Sequence, residues 1–275
     1  MVFLRLRHIL KLIITPFLSA KNQRYLLKEI VKRDIKGRFA GSVAGTFWTL
    51  LNPFFNIIVY IILFSLVLRI NVTIEETGTD SFAVYFLTGY FPWLLFSDGL
   101  NRSVGILLDQ SNLITKVVFP VELLPASTVI TAFVTNILGM LIFFLYLIYL
   151  GYFNITWGLI LLYIPVQMLM TLGISYFLSG LCIFIRDTRE ILGIILMVWF
   201  YATPILYPIS LIPEEFHVYR LLNPMDDVIV LYRNALLIHQ TDWMAFTRIC
   251  GFSVCAYAIG ALFFMRAKPA FGDVL

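Results

Sequence analysis

The chain has 275 residues, 60% of them hydrophobic and only 13% charged, with a formal net charge of +4. Soluble domains carry about 25% charged residues; half that density cannot coat a water-facing surface, so the composition excludes a soluble globular protein and points to a chain that faces lipid. The three cysteines, Cys182, Cys250 and Cys255, fall in apolar stretches without ligand spacing, which excludes a disulfide framework and a metal site and reads as small core residues.

In chain order, residues 1–20 place Arg5, Arg7 and Lys11 around a short apolar patch broken by Pro16. A signal peptide has a longer uninterrupted core, so an amphipathic helix lying on the inner leaflet is the expected form. Residues 21–39 predict a second amphipathic helix. Leu27, Val31, Ile35 and Phe39 recur every four residues with Leu26 and Ile30 beside them, Lys28, Lys32 and Lys36 form the adjacent row, and Glu29 to Arg33 is an i,i+4 pair. This helix suits anionic lipid, a docked cytoplasmic partner, or both.

Crossing about 30 Å of hydrocarbon takes roughly 20 apolar residues. Residues 47–68 meet that, and 81–97 nearly do, interrupted by Pro92. Residues 123–185 carry no charge and are too long for one span; Gly151 to Trp157 breaks them into a helical hairpin. Residues 191–213 and 249–265 complete six expected spans. Kinks are expected at Pro53, Pro92, Pro165 and Pro204. Residues 98–122 read as a surface helix and tight re-entry holding Arg102 and Lys116. The turn 185–191 packs Arg186, Asp187, Arg189 and Glu190 into local ion pairs, each worth little. Between the last two spans, residues 211–243 read as short helices dipping into the outer leaflet or as plain extracellular helices.

Charge fixes the direction. Ten basic residues precede Trp48, opposed only by Glu29 and Asp34, whereas the alternate loops collect Glu75, Glu76, Asp80, Glu214, Glu215, Asp226, Asp227 and Asp242. By the positive-inside rule both ends are cytoplasmic. Trp93, Trp157 and Trp243 fall near the expected interfaces, as belt residues do.

No G-x-x-x-x-G-K-[ST] loop and no H-E-x-x-H motif occurs, and His8, His217 and His239 are scattered. No catalytic residue, cofactor site or metal site is expected. The spans hold almost none of the ionisable groups that ion-coupled transporters keep at bilayer depth. Phe54, Phe55 and Tyr60 in the first span, with Trp199, Phe200, Tyr201 and Tyr207 around the fifth, offer flat faces for sugar rings; ordinary packing or lipid contact is the alternative.

The order of motifs is similar to that of the ABC-2 type polysaccharide exporter permeases. Arg33-Asp-Ile-Lys-Gly-Arg-Phe39 with Ser42, Gly45, Trp48 and Leu51-Asn-Pro53 resembles their N-terminal segment. Gly89-Tyr-Phe-Pro-Trp93 with Asn101-Arg102 resembles their second span, and Leu113-Ile-Thr-Lys116 with Phe119-Pro120 the loop after it. Phe184-Ile-Arg-Asp187, Glu190-Ile191, Trp199, Thr203-Pro204 and Asn223-Pro-Met225 resemble their second half. The resemblance covers about residues 25–265 and is nearest to the O-antigen permeases, with teichoic acid and capsule permeases as relatives.

The resemblance implies a homodimer in the cell (inner) membrane, two copies of a separate cytoplasmic ATPase that binds ATP and Mg, a lipid-linked glycan substrate, and no nucleic-acid partner. It implies that Lys28, Glu29, Lys32, Arg33, Asp34, Arg38, Arg102, Lys116, Arg186, Asp187 and Glu190 face the ATPase. It also implies that the first and fifth spans, with their aromatics, line the path. The expected fold is all-α and integral to the membrane: a cytoplasmic amphipathic region (1–46), six spans with short re-entrant helices between the fifth and sixth (47–265), and a cytoplasmic tail (266–275). An ABC-2 exporter of drugs or lipids is the nearest rival. A polytopic enzyme acting on polyprenyl-linked sugars is the rival from another class, with no acid–base spacing to support it.

Overall fold

The computed structural model describes residues 2–38, 42, 45–70, 72–116, 119–213, 215 and 217–275. Among them every regular element is helical: α1 (Val2–Asn22), α2 (Arg24–Gly37), α3 (Trp48–Ile61, continued by a π turn over Ile62–Val67), α4 (Ile74–Thr77), α5 (Phe82–Val104), α6 (Ile106–Asp109), α7 (Ser111–Lys116), α8 (Leu123–Tyr149), α9 (Ile160–Phe184), α10 (Thr188–Ala202), α11 (His217–Arg220), α12 (Pro224–Arg233), α13 (Trp243–Ala267) and α14 (Phe271–Val274). Four helical stretches among the described residues are long and apolar enough to cross a membrane: Trp48–Val67, Leu123–Tyr149, Ile155–Phe184 and Trp243–Val274. The hairpin expected at Gly151 forms. Gly151 takes a left-handed conformation (φ 85°), and the Gly151 and Tyr152 amides donate back to the Ile148 and Leu147 carbonyls; this closure satisfies the last carbonyls of α8 and reverses the chain.

The bundle is built around α9 and α13, which make the most extensive helix pair. Their backbones touch: a β-carbon at Gly260 would collide with the Gly173 carbonyl. Without water to drive apolar association, close backbone approach at small residues is what holds membrane helices together. Helix α5 packs between α8 and α9, and α3 rests on α8. The main core gathers α5, α9, α12 and the C-terminal half of α8, including Phe86, Phe96, Phe143 and Tyr232. A second, smaller core at the other end joins Leu107, Leu124, Tyr176, Ile183, Phe264 and Phe271, with Leu27, Leu113 and Phe119 leaning on it.

Several expectations are revised. The fifth span was expected over 191–213, but α10 stops at Ala202: Pro204 disfavours a helical residue before it, and Thr203 is extended (φ −100°, ψ 135°). Trp93 is not a belt residue; it is buried among Phe96, Trp199 and Phe200. Cys182 is a core residue, but Cys255 lies on the exposed side of α13. Phe39, the fourth apolar position predicted for α2, lies outside the described residues.

Candidate functional site

The charged residues singled out in the sequence collect around the smaller core. Helix α2 buries none of its residues; it lays the Leu27–Ile30–Val31 side on α8 and leaves Lys28, Glu29, Lys32 and Lys36 exposed. Glu29 pairs with Lys32 at 3.8 Å rather than with Arg33, and with both ends in solvent the pair contributes little. Arg33 and Asp34 edge a cleft of about 370 Å³ shared with Gln110, Ser127 and Thr128. Arg38, at the C-terminal end of α2, and Arg102 both come near Asp98, which accepts from Arg102 Nε at 2.7 Å. Lys116 ends α7, exposed. Arg186, Asp187 and Glu190 stand exposed on the α9–α10 turn. Their neighbour Arg189 reaches across to Asp109 on α6 at 3.4 Å, so this turn is tied to the other loop rather than paired within itself.

The other end is closed by buried polar bonds. Helix α12 starts as its sequence dictates: Pro224 sits at its first turn and the Asn223 side chain accepts from the Met225 amide at 3.1 Å. The same Asn223 accepts from Trp199 Nε1 at 2.8 Å and donates to Thr203 Oγ1 at 2.9 Å, so three motifs separated in sequence meet at one side chain. All of α12 except Val230 is buried. At its end Arg233 is 4% exposed and, among the described residues, faces no carboxylate within ion-pair distance. Its guanidinium donates to the Tyr85 hydroxyl (2.8 Å), the Pro204 carbonyl (2.7 Å) and the Ile205 carbonyl (3.1 Å) and lies over the Tyr85 ring at 3.6 Å. The site is open for it because Gly89 has no side chain: a β-carbon there would come within 2.9 Å of the guanidinium. Gln167 extends the network, donating to the Pro92 carbonyl at 2.6 Å and accepting from the Tyr232 hydroxyl at 3.1 Å. Asp227 holds Arg248 at the head of α13.

The aromatic candidates divide into two groups. Phe54, Phe55 and Tyr201 are exposed at 43%, 52% and 60%. Tyr60 instead packs on Phe86 and Tyr90, and Trp199 and Phe200 on Trp93. Trp199 and Tyr207 line a largely apolar pocket of about 750 Å³ with Leu211, Leu222 and Arg220.

Sequence reasoning missed Glu122, the residue before α8. It is buried, yet accepts from Ser19 Oγ and Lys268 Nζ, each at 2.6 Å, while its own carbonyl accepts from the Tyr176 hydroxyl. Burial alone would raise its pKa; the Lys268 and Ser19 hydrogen bonds outweigh that and hold the carboxyl below its usual value. One carboxylate thereby ties α1, α8 and the C-terminal tail together. A lone glutamate beside Pro120 gives no sequence signal of this, because its partners lie at residues 19 and 268.

Long apolar helices, a polar lock at one end and a charged surface at the other define a multi-pass membrane protein. The chain belongs to the ABC-2 type transporter family, whose profile matches residues 25–237. Among its relatives is the O-antigen export system permease protein RfbA of Myxococcus xanthus, 32% identical over 221 residues that cover 79% of this chain and 82% of that protein. A second RfbA, from Klebsiella pneumoniae, is 27% identical over 253 residues, 91% of this chain and 95% of the relative. The polysialic acid transport protein KpsM of Escherichia coli is 24% identical over 252 residues, 90% of this chain and 95% of that protein.

Proposed function

We propose that this chain is the membrane-spanning permease subunit of an ATP-driven exporter that moves a lipid-linked polysaccharide, of the O-antigen kind, across the cell's inner membrane. The observation that carries this reading is the collinear similarity to O-antigen export permeases over nine-tenths of the chain. Spans with almost no ionisable groups agree with it, since an energy source outside the bundle is then needed.

In this reading α5, at 23 residues, and α10, uncharged from Ile191 to Ala202, are the spans that join the four long apolar stretches to make six. Both ends lie in the cytoplasm, in keeping with the ten basic residues before Trp48. Residues 1–46 form the cytoplasmic region, 47–265 the membrane domain and 266–275 the tail. Two copies of the chain make the channel and two ATPase subunits, holding ATP and Mg, dock beneath it. Lys28, Glu29, Lys32, Arg33, Asp34, Arg38, Arg102, Lys116, Arg186, Asp187 and Glu190 form the docking surface. Phe54, Phe55, Tyr60, Trp199, Phe200, Tyr201 and Tyr207 are the aromatics along the path, and α12 is the re-entrant helix closing its outer end. Helix α1 lies on anionic lipid, its Leu10, Ile14, Phe17 and Leu18 face exposed.

The test is reconstitution. The chain and its ATPase together should hydrolyse ATP and export a lipid-linked glycan from vesicles, and neither should do so alone. Glycan synthesis by the purified chain alone would overturn the reading.

A further inference from the structure

Helix α3 is the least buried of the four long apolar stretches, yet it carries a polar stripe. Thr49, Asn52 and Asn56 stand at i, i+3 and i+7 and so share one face. Pro53 beside them seats on Gly139 of α8, which turns that stripe toward Asp98 of α5 and Asn136 of α8. Together these residues line a pocket of about 290 Å³, with Trp48 at its edge and Arg38 and Tyr90 also on its wall.

What matters is which of these groups are satisfied. Both oxygens of Asp98 are engaged, one by Arg102 Nε at 2.7 Å and the other by Asn136 Nδ2 at 2.9 Å. The stripe is not: among the described residues the buried Thr49 hydroxyl has no partner, and the Asn52 and Asn56 amides, whose side chains are exposed, make no hydrogen bond. Each amide offers two donors and an acceptor oxygen. The buried Thr49 hydroxyl carries the cost of an unpaired polar group, and the two exposed amides offer their hydrogen bonds to whatever occupies the pocket.

We propose that this pocket is a saccharide subsite that holds one sugar ring of the exported glycan; the inference rests on the proposed function and adds to it. Sugar hydroxyls donate and accept at once, which is what mixed amides and a hydroxyl require. The apolar C–H face of the ring suits the indole of Trp48. A metal cation needs a concentrated set of oxygens with spare negative charge, whereas the one carboxylate here is paired with Arg102 and Arg38 adds a positive charge to the wall. A lipid tail would leave the amides empty. The volume is at the lower end for ligand pockets, which fits one ring and not a chain, so the subsite would grip successive units weakly as they pass.

The test uses the full-length chain in detergent and saturation-transfer NMR. The probes are three neutral trisaccharides, of mannose, of galactose and of N-acetylglucosamine, with inorganic pyrophosphate as competitor. Transfer to ring protons of at least one trisaccharide is expected. The Asn52→Leu/Asn56→Leu double substitution and Trp48→Ala should each reduce it about tenfold, and pyrophosphate should not compete. Leucine suits an apolar helix, so the double variant should keep its elution volume and melting temperature; its loss of signal then reports the ligand and not the fold. Transfer that survives both substitutions, transfer abolished by pyrophosphate, or no transfer to any trisaccharide overturns the subsite. Vesicle export by the wild-type chain judges the permease reading separately: export without pocket-dependent sugar binding removes the subsite and keeps the permease.

Discussion

Helices α2 and α12 are both short, amphipathic and charged, and the fold treats them in opposite ways. Helix α12 buries nearly every residue and ends in a guanidinium whose two terminal nitrogens donate, among the described residues, to neutral oxygens inside the bundle, while its Nε is buried without a partner there. Helix α2 buries none and keeps its lysines in solvent. A buried polar network is favourable only in the arrangement that pairs most of its members, so it specifies that arrangement; a solvated charge row specifies nothing until a partner arrives. One helix is therefore part of the bundle's own architecture, and the other is a surface presented to something else.

The largest test of that contrast is Arg233→Ala. Removing the guanidinium takes the donor from the Pro204 and Ile205 carbonyls, at about 1–3 kcal/mol for each, while the Tyr85 hydroxyl keeps its bond to the Tyr207 carbonyl. A loss of about 4 kcal/mol is expected in a denaturant titration in micelles; a loss under about 1 kcal/mol would make the lock incidental. Gly89→Val approaches the same site from the facing helix. Its side chain would displace the guanidinium, and about 2–3 kcal/mol should be lost without any polar group being deleted. Asn223→Ala removes the cap of α12 together with the Trp199 and Thr203 bonds, and is expected to cost about 2 kcal/mol.

Glu122 sharpens the comparison at the end of the smaller core, where one buried polar node ties α1, α8 and the C-terminal tail. Its carboxyl pKa is lower folded than unfolded, so as pH falls the unfolded chain takes up the proton first. Its stabilisation is full above the ordinary carboxylate pKa, near 4.3, and is lost as pH falls through the lower folded value. Melting temperature should therefore drop on acidification below about pH 5, and Glu122→Gln should flatten that part of the curve. The smallest effect on stability belongs to α2. Lys32→Glu with Arg33→Glu should change stability by less than about 0.5 kcal/mol, yet weaken capture of the ATPase in a pull-down. Unchanged capture would remove this helix from the interface.

Much of this architecture was legible in one dimension because hydropathy and turn chemistry act locally. The uncharged stretch 123–185, the break at Gly151 and the amphipathic row on α2 needed no tertiary information. Residues with distant partners were not legible. Asp226, Asp227 and Arg233 give α12 the pattern of a surface helix, and only its burial against α5, α9 and α13 shows otherwise. The stripe Thr49–Asn52–Asn56 is visible at helical spacing, but nothing local says that Asp98 and Asn136 complete it.

The sequence by itself determined that the chain is helical, embedded in lipid, poor in ionisable groups along its spans and basic at its N-terminal end. Those properties follow from composition and periodicity, which the solvent reads residue by residue. The tertiary structure decided which polar groups are spent on the fold and which remain open. Satisfaction of a donor or acceptor depends on atoms brought from far along the chain: Arg233 is consumed by Tyr85 and the 203–205 turn, Glu122 by Ser19 and Lys268, whereas Asn52 and Asn56 are left facing a pocket.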